Sequence, residues 1–241
     1  MKKLVKEIKR IIINLFTKTK SIEKSELKLT HEKKLENIVD RLCEDKFQFS
    51  QILPEKFRTE FIMKSYIAGG CIYSLYHDQE PKDYDYFLKD KELAEEMKQY
   101  FLDVAGYRGN GISGGIYKDT GLIVTDNAIS IGNRQIIIRE TGTPEEVVGQ
   151  FDFKHNMFYC DGVRVHTLSD FQNLKSDKLV YNEKRARDVC GTVVRVNKFV
   201  GRGMKISNRE MSKILLELNS KGFSKKEVET LESGLNQSFS S

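Results

Sequence analysis

The sequence predicts an α+β fold. Apolar residues recur with helical period near both ends of the chain, and short apolar runs punctuated by Gly and Asn fill the middle. No internal repeat organises the 241 residues, and that length supports one large domain or two small ones. The architecture expected is a mixed or antiparallel sheet core flanked by helices, with helical N- and C-terminal extensions.

Taken in order, Leu4, Val5, Ile8, Ile11, Ile12, Leu15 and Phe16 have the spacing of an amphipathic helix over residues 2–17, with a basic opposite face. Thr17–Lys28 is polar and reads as a linker. A second helix is expected over Thr30–Cys43, capped by Thr30, and a third over Pro54–Lys64. Tyr84–Leu88 reads as a strand and Lys91–Val104 as a helix ended by Gly106. Gly109–Gly115 is expected to be a loop. Gly121–Val124, Ala128–Ile131 and Gln135–Arg139 read as strands, the last two joined at Gly132-Asn133. Thr143-Pro144-Glu145-Glu146 carries the signature of a helix start. A strand pair is expected over Gln150–Tyr159 and Val163–His166, around Asp161-Gly162. Helices then dominate: Ser169–Leu174, Glu183–Val200, Asn208–Asn219 and Ser224–Leu235. This divides the chain into a helical extension (1–64), a catalytic core (65–175) and a helical C-terminal region (176–241).

Composition excludes several classes. Trp is absent and there are three Pro, against collagen-like or Pro-rich chains. The net charge is +5, but residues 1–20 hold seven Lys/Arg against one acid, so residues 21–241 sum to −1. The basic character belongs to the N-terminal segment, which excludes a histone-like protein. Three roles fit that segment: packing its apolar face on the core, guiding a nucleic-acid acceptor, or lying on an anionic membrane or a partner. Cys43, Cys71, Cys160 and Cys190 lack paired spacing, which points to reduced thiols in a cytoplasmic protein rather than a disulfide or zinc framework. Ile11–Phe16 is too short for a transmembrane span.

The chemistry concentrates in Ile67-Ala68-Gly69-Gly70-Cys71, followed by Asp83-Tyr84-Asp85. Two Gly between a strand and a helix let backbone N–H groups approach phosphate. Acids two apart on a strand point to one face, where they repel unless cations lie between them. Oxygen donors of this kind suit Mg²⁺ on a nucleotide's phosphates, and two such ions suit phosphoryl transfer. Asp83 and Asp85 are therefore the candidate catalytic metal ligands.

These residues resemble the signature of the DNA polymerase β-like nucleotidyltransferase superfamily. Asp152-Phe153-Lys154-His155-Asn156, with Tyr159, Asp161-Gly162 and Leu168–Leu174, is similar to the head domain of CCA-adding enzymes and bacterial poly(A) polymerases. Arg195-Val196-Asn197-Lys198-Phe199 resembles the family's triphosphate-holding helix. The resemblance, over residues 65–206, implies a nucleotidyltransferase-type sheet core. It also implies two Mg²⁺ ions (Mn²⁺ as substitute), an ATP-type NTP substrate, and an RNA 3′ end as acceptor. Gly69, Gly70, Ser74, Asn156, Arg195 and Lys198 would then bind nucleotide, and Asp152 would complete the metal site, with Glu140 as the alternative. The family's Arg-Asp after the glycines is Tyr73-Ser74 here, and its Arg-Arg before Asp152 is Gln150-Phe151. Those changes point away from housekeeping CCA addition, towards a relative with another acceptor. A toxin-like or protein- or small-molecule-modifying transferase, or a degenerate fold used for binding, are the alternatives. The remaining basic residues of the run, Arg185 and Arg187, read either as a solvated face or as phosphate contacts. His155 reads as a structural residue.

Overall fold

A computed structural model describes residues 30–106, 112–185, 188–225, 227–229 and 231–232. The basic helix expected over residues 2–17, the linker that follows it, and Arg187 lie outside the described residues. The chain is α+β, with an eight-stranded, mostly antiparallel sheet and helices packed against it.

Helix α1 (30–52) runs further than Cys43 because Phe49 continues the buried stripe begun by Ile38 and Leu42. Helix α2 (Glu55–Lys64) leads straight into β1 (Ser65–Ala68), which is buried throughout. After α3 (Gly70–Tyr76) come β2 (Tyr84–Leu88) and α4 (Lys91–Val104), the latter capped by Asp90. Four strands follow: β3 (Ile112–Tyr117), β4 (Thr120–Thr125), β5 (Ala128–Ile131) and β6 (Arg134–Ile137). The order across the sheet is β3-β4-β5-β6-β2-β1-β7-β8, with β7 (Phe158–Cys160) and β8 (Val165–Thr167) at the far edge. Within this sheet, β2 and β6 are the one parallel pair among the described strands.

Period-two alternation gives the sheet two different faces. Tyr86, Leu88, Leu122, Val124, Ile129 and Ile136 point into the main core, which α1, α2 and α4 close. On the other face, Tyr66, Ala68, Phe87 and Tyr159 pack under α5 (Pro144–Val148) and Phe151. Asp85 lies on this second face, one residue pair before Phe87.

Three expectations are corrected. Residues 112–115 belong to β3, not to a loop, because a two-residue turn at Lys118-Asp119 brings β3 and β4 into register from Ile112↔Thr125 to Tyr117↔Thr120. Both turn residues have positive φ, 48° and 61°, the twist that suits a tight hairpin. Of Gln150–Tyr159 only Phe158 and Tyr159 form a strand, in β7, which pairs with β8 around Asp161-Gly162 as expected. Phe151 packs in the cluster under α5, while Phe153 packs in a separate cluster with Tyr181 and Val196, so the chain passes between two cores. A 3₁₀ turn at Lys154–Asn156 precedes β7. The long helix expected from Glu183 begins only at Val189, as α7 (Val189–Val200), because Asp188 is left-handed (φ 54°) and folds back to cap Gly191 N–H at 3.1 Å. A Cβ on Gly191 would lie 2.4 Å from that carboxylate. Helix α6 (Phe171–Lys175) and helix α8 (Asn208–Lys221) follow expectation, and a two-stranded parallel pair, β9 (Lys178–Leu179) with β10 (Lys205–Ile206), was not expected. No helix of the described residues is long and apolar enough to cross a membrane.

Candidate active site

The second face of the sheet opens beside β2 into a cavity of about 720 Å³. Its floor is β2 and β6, its walls are the β1–α3 turn, the Phe151–Asn156 segment and α7. Gly69, Gly70, Ser74, Asp83, Asp85, Asp152, Asn156, Arg195 and Lys198 all line it, as does Glu140. The fold therefore brings these candidate nucleotide and metal residues to one cavity, Arg187 lying outside the described residues.

Gly69 ends β1 with φ 89°, a conformation that favours glycine, and its N–H is donated to Phe158 O at 3.0 Å. Phosphate contact through the Gly69 N–H, one use the sequence suggests, is thus already spent on β7. Gly70 opens α3; Ile72 N–H bends back to Gly69 O at 3.2 Å, while the Gly70 N–H, first in the helix, has no intrahelical acceptor. A Cβ on Gly69 would meet the ring of Phe151 at 3.5 Å, and one on Gly70 would meet Asn156 Oδ1 at 3.9 Å. That Asn156 oxygen is buried with no hydrogen-bond partner among the described residues. A buried acceptor without a donor costs free energy, and a ligand hydroxyl would relieve it.

Asp83 precedes β2, and Asp85 sits on its outer face. Burial, then the charge of Asp83, push the Asp85 carboxyl up to about 6, with Lys198 pulling the other way. The neighbouring strand contributes Gln135, paired in register with Asp85. Two carboxylates and an amide oxygen are hard donors, and the ionised form of Asp85 is short of a counter-charge, so these residues fit a divalent cation. No group of three or more His, Cys, Asp or Glu gathers among the described residues. An in-register amide, not a third acid, stands beside Asp85.

Asp152 is spoken for. It is buried, and its carboxylate accepts Thr192 Oγ1 at 2.9 Å, Arg185 Nη1 at 2.8 Å, and the Nε of Arg195. Arg195 Nη2 also reaches Asp188 at 2.8 Å, and Arg185 Nη2 does so at 3.2 Å. Two arginines and two aspartates thus form one network at the wall, which fastens α7 to the segment before the 3₁₀ turn. Sequence reasoning missed Gln135 and the role of Thr192, whereas Asp188 pairs with Arg195 as the spacing of the basic run suggested. An amide in a strand and a hydroxyl in a helix carry no signal until the fold sets them opposite an acid. Lys82, Arg139, Lys198 and Arg202 add positive charge around the cavity.

Tyr73, where the resembling family has Arg, donates to Ser176 O at 3.1 Å and lies edge-on to His155, with ring centroids 5.1 Å apart. His155 is buried among Tyr73, Phe153 and Phe199, and burial followed by the nearby His77 push it down to about 3. It is a neutral packing residue, as its sequence setting suggested.

Comparison with known proteins adds the following. A Bacillus stearothermophilus CCA-adding enzyme solved with CTP is 16% identical, covering 75% of this chain and 48% of that one, at a TM-score of 0.44. A Thermotoga maritima CCA-adding enzyme solved with tRNA is 14% identical, covering 76% and 45%, at 0.43. A tRNA nucleotidyltransferase solved with a primer tRNA and an ATP analogue is 16% identical, covering 69% and 50%, at 0.44. The chain spans about half the length of the solved chains it matches. No curated protein matches it in sequence. The sequence model of the Gabija anti-defense 2 (Gad2) family matches residues 30–177, more than half of the chain, and the protein therefore belongs to the Gabija anti-defense 2 family.

Proposed function

We propose that this protein is a metal-dependent nucleotidyltransferase that moves a nucleoside monophosphate from an NTP to an acceptor hydroxyl, releasing pyrophosphate. The observation that supports it best is the acid pair Asp83/Asp85 on the floor of a cavity rimmed by Lys82, Arg139, Lys198 and Arg202. Acids at the centre and cations at the rim suit a metal–triphosphate, which carries positive charge inside and negative charge outside.

In this reading, Asp83 and Asp85 hold the metal, with Gln135 beside them. A divalent cation bound there supplies charge stabilisation to the reacting phosphate oxygens. Lys198 and Arg202 bind the outer phosphates from α7 and the turn after it. The Gly70 N–H adds a backbone contact, Ser74 lines the nucleotide's path, and Asn156 Oδ1 accepts from a sugar hydroxyl. Arg195, anchored by Asp152 and Asp188, presents positive charge from a fixed position. Glu140, three residues beyond β6, is a candidate to take the proton of the acceptor hydroxyl. Asp152, with two arginines on it, suits the role of positioning Arg195 better than that of base. An RNA 3′ end is the acceptor implied by the sequence resemblance. An anti-defense role, named in the family's description, is also compatible with transfer onto a component of the Gabija system.

The test is transfer of label from each α-³²P-NTP, with Mg²⁺ or Mn²⁺, to RNA and protein acceptors. Wild type should give labelled product, and Asp83→Asn or Asp85→Asn should lower the rate about a thousandfold, several kcal/mol of lost charge stabilisation. Equal labelling by the variants would refute the assignment.

A further inference from the structure

The face of the sheet that carries Asp85 continues past the cavity. Register alone traces it: Asp85 pairs with Gln135, Gln135 with Ser130, Ser130 with Ile123, and Ile123 with Gly114. Over β1, β2 and β7 this face is covered by α5 and Phe151, whereas over β3 and β4 the described residues leave it exposed. Ile116 is 76% exposed and Ile123 50% exposed, each paired across the strands with a glycine, Gly121 and Gly114. Two aliphatic knobs and two hollows form a checkerboard beside the active site.

Nothing among the described residues asks for glycine in those hollows. Neither residue has positive φ. A Cβ on Gly121 would meet nothing within 4 Å, and one on Gly114 only Leu122 O at 3.8 Å. Glycine weakens a strand, and inside a strand it often marks a place where another backbone comes close. The outward residues Gly114, Ile116, Gly121, Ile123, Thr125 and Ser130 include no charge, so the shelf offers a polyphosphate chain nothing to pair with.

We infer that the acceptor is a polypeptide, laid as an extended segment across β3–β5 so that a Ser, Thr or Tyr hydroxyl reaches Asp83 and Asp85. The inference rests on reading the cavity as a nucleotidyltransferase site. Strands lie about 4.8 Å apart, so β4 is about 14 Å from Asp85, which an extended chain covers in four or five residues. The segment therefore carries an apolar side chain four or five positions from the modified hydroxyl when seated over Gly121, or about six when seated over Gly114 on β3, in either case between Ile116 and Ile123.

The experiment offers the full chain, Mg²⁺ and each α-³²P-NTP two probes. One is a degenerate peptide pool with a fixed central Ser, Thr or Tyr, and the other is an oligoribonucleotide pool with free 3′ hydroxyls. Peptide labelling is expected, lost in Asp85→Asn, and reduced at least tenfold by Gly114→Val/Gly121→Val through a raised KM for peptide. Valine suits a strand, so the thermal midpoint of that variant should not fall; Ile116→Ser/Ile123→Ser, which removes the knobs and keeps the hollows, should raise the same KM. Labelling of RNA and not peptide, or peptide labelling indifferent to both shelf variants, overturns the shelf assignment and leaves the nucleotidyltransferase reading standing. Labelling of neither pool, or labelling that survives Asp85→Asn, overturns both.

Discussion

Two acids in the same cavity meet opposite fates. Asp85 is pushed up to about 6 by burial and by Asp83, with Lys198 opposing, so its ionised form has little counter-charge nearby. Asp152 has its counter-charge built in, from Arg185 and Arg195. His155 shows a third way of housing a polar group: it stays neutral. In the unfolded chain it takes a proton near 6.5, and in the folded chain only near 3. Between those values the unfolded state binds more protons, so the folded state loses stability as pH falls, by up to about 1.4 kcal/mol per unit. Above 6.5 both forms are neutral and the effect vanishes. His155→Phe, which suits the ring cage of Tyr73, Phe153 and Phe199, should remove that slope. Urea titrations of wild type and variant should diverge steadily from pH 6.5 down to pH 4; a constant gap would show that His155 accepts a proton in the folded state.

At the scale of elements, legibility followed locality. The helix at Pro144 was readable because its capping box is complete within four residues, with Thr143 and Glu146 each satisfying the other's backbone. Asp83-x-Asp85 and Gly69-Gly70 were readable as one site because a strand and a turn fix their directions before any tertiary contact forms. β3 was not, since its glycines carry no strand propensity and its pairing depends on β4. The strand expected from Gln150 starts only at Phe158: Phe151, partly buried, and Phe153, fully buried, do alternate, but they pack in different cores. Gln135 acquires meaning only through parallel pairing with β2. That pairing is buttressed on the core side, where Asp45 of α1 takes Arg134 Nη2 at 2.7 Å, Arg134 Nε, and the hydroxyl of Tyr86. Arg134 and Tyr86 belong to β6 and β2, the two strands under the site. Asp45→Ala leaves a half-buried guanidinium and a phenol without their acceptor, and should cost about 2–3 kcal/mol. Asp45→Leu/Arg134→Leu should recover most of it. Denaturant midpoints for both variants check this, and a single-variant cost below about 0.5 kcal/mol, typical of an exposed pair, would refute it.

The charge of the whole molecule is unevenly held. Residues 1–20 carry +6, and residues 21–241 sum to −1. The cations around the cavity are largely balanced by Asp152, Asp188, Asp83 and Asp85, and the shelf over β3 and β4 presents aliphatic and glycine surface. A nucleic-acid acceptor gripped through six to ten phosphates would lose affinity by about 10³ to 10⁵ between 50 and 200 mM salt. A polypeptide held by apolar contact has no such counterions to release, and apolar burial is little changed by that much salt. The KM for a peptide acceptor should therefore move by less than about threefold across this range, where exposed charges are already largely screened. Measuring it in the full chain and in a chain lacking residues 1–20 separates the two electrostatic compartments. A steep salt slope that disappears with the truncation would assign acceptor capture to the N-terminal lysines. A steep slope that survives truncation would assign it to Lys82, Arg139 and Arg202 at the cavity rim, and would return the acceptor to the phosphate-bearing class.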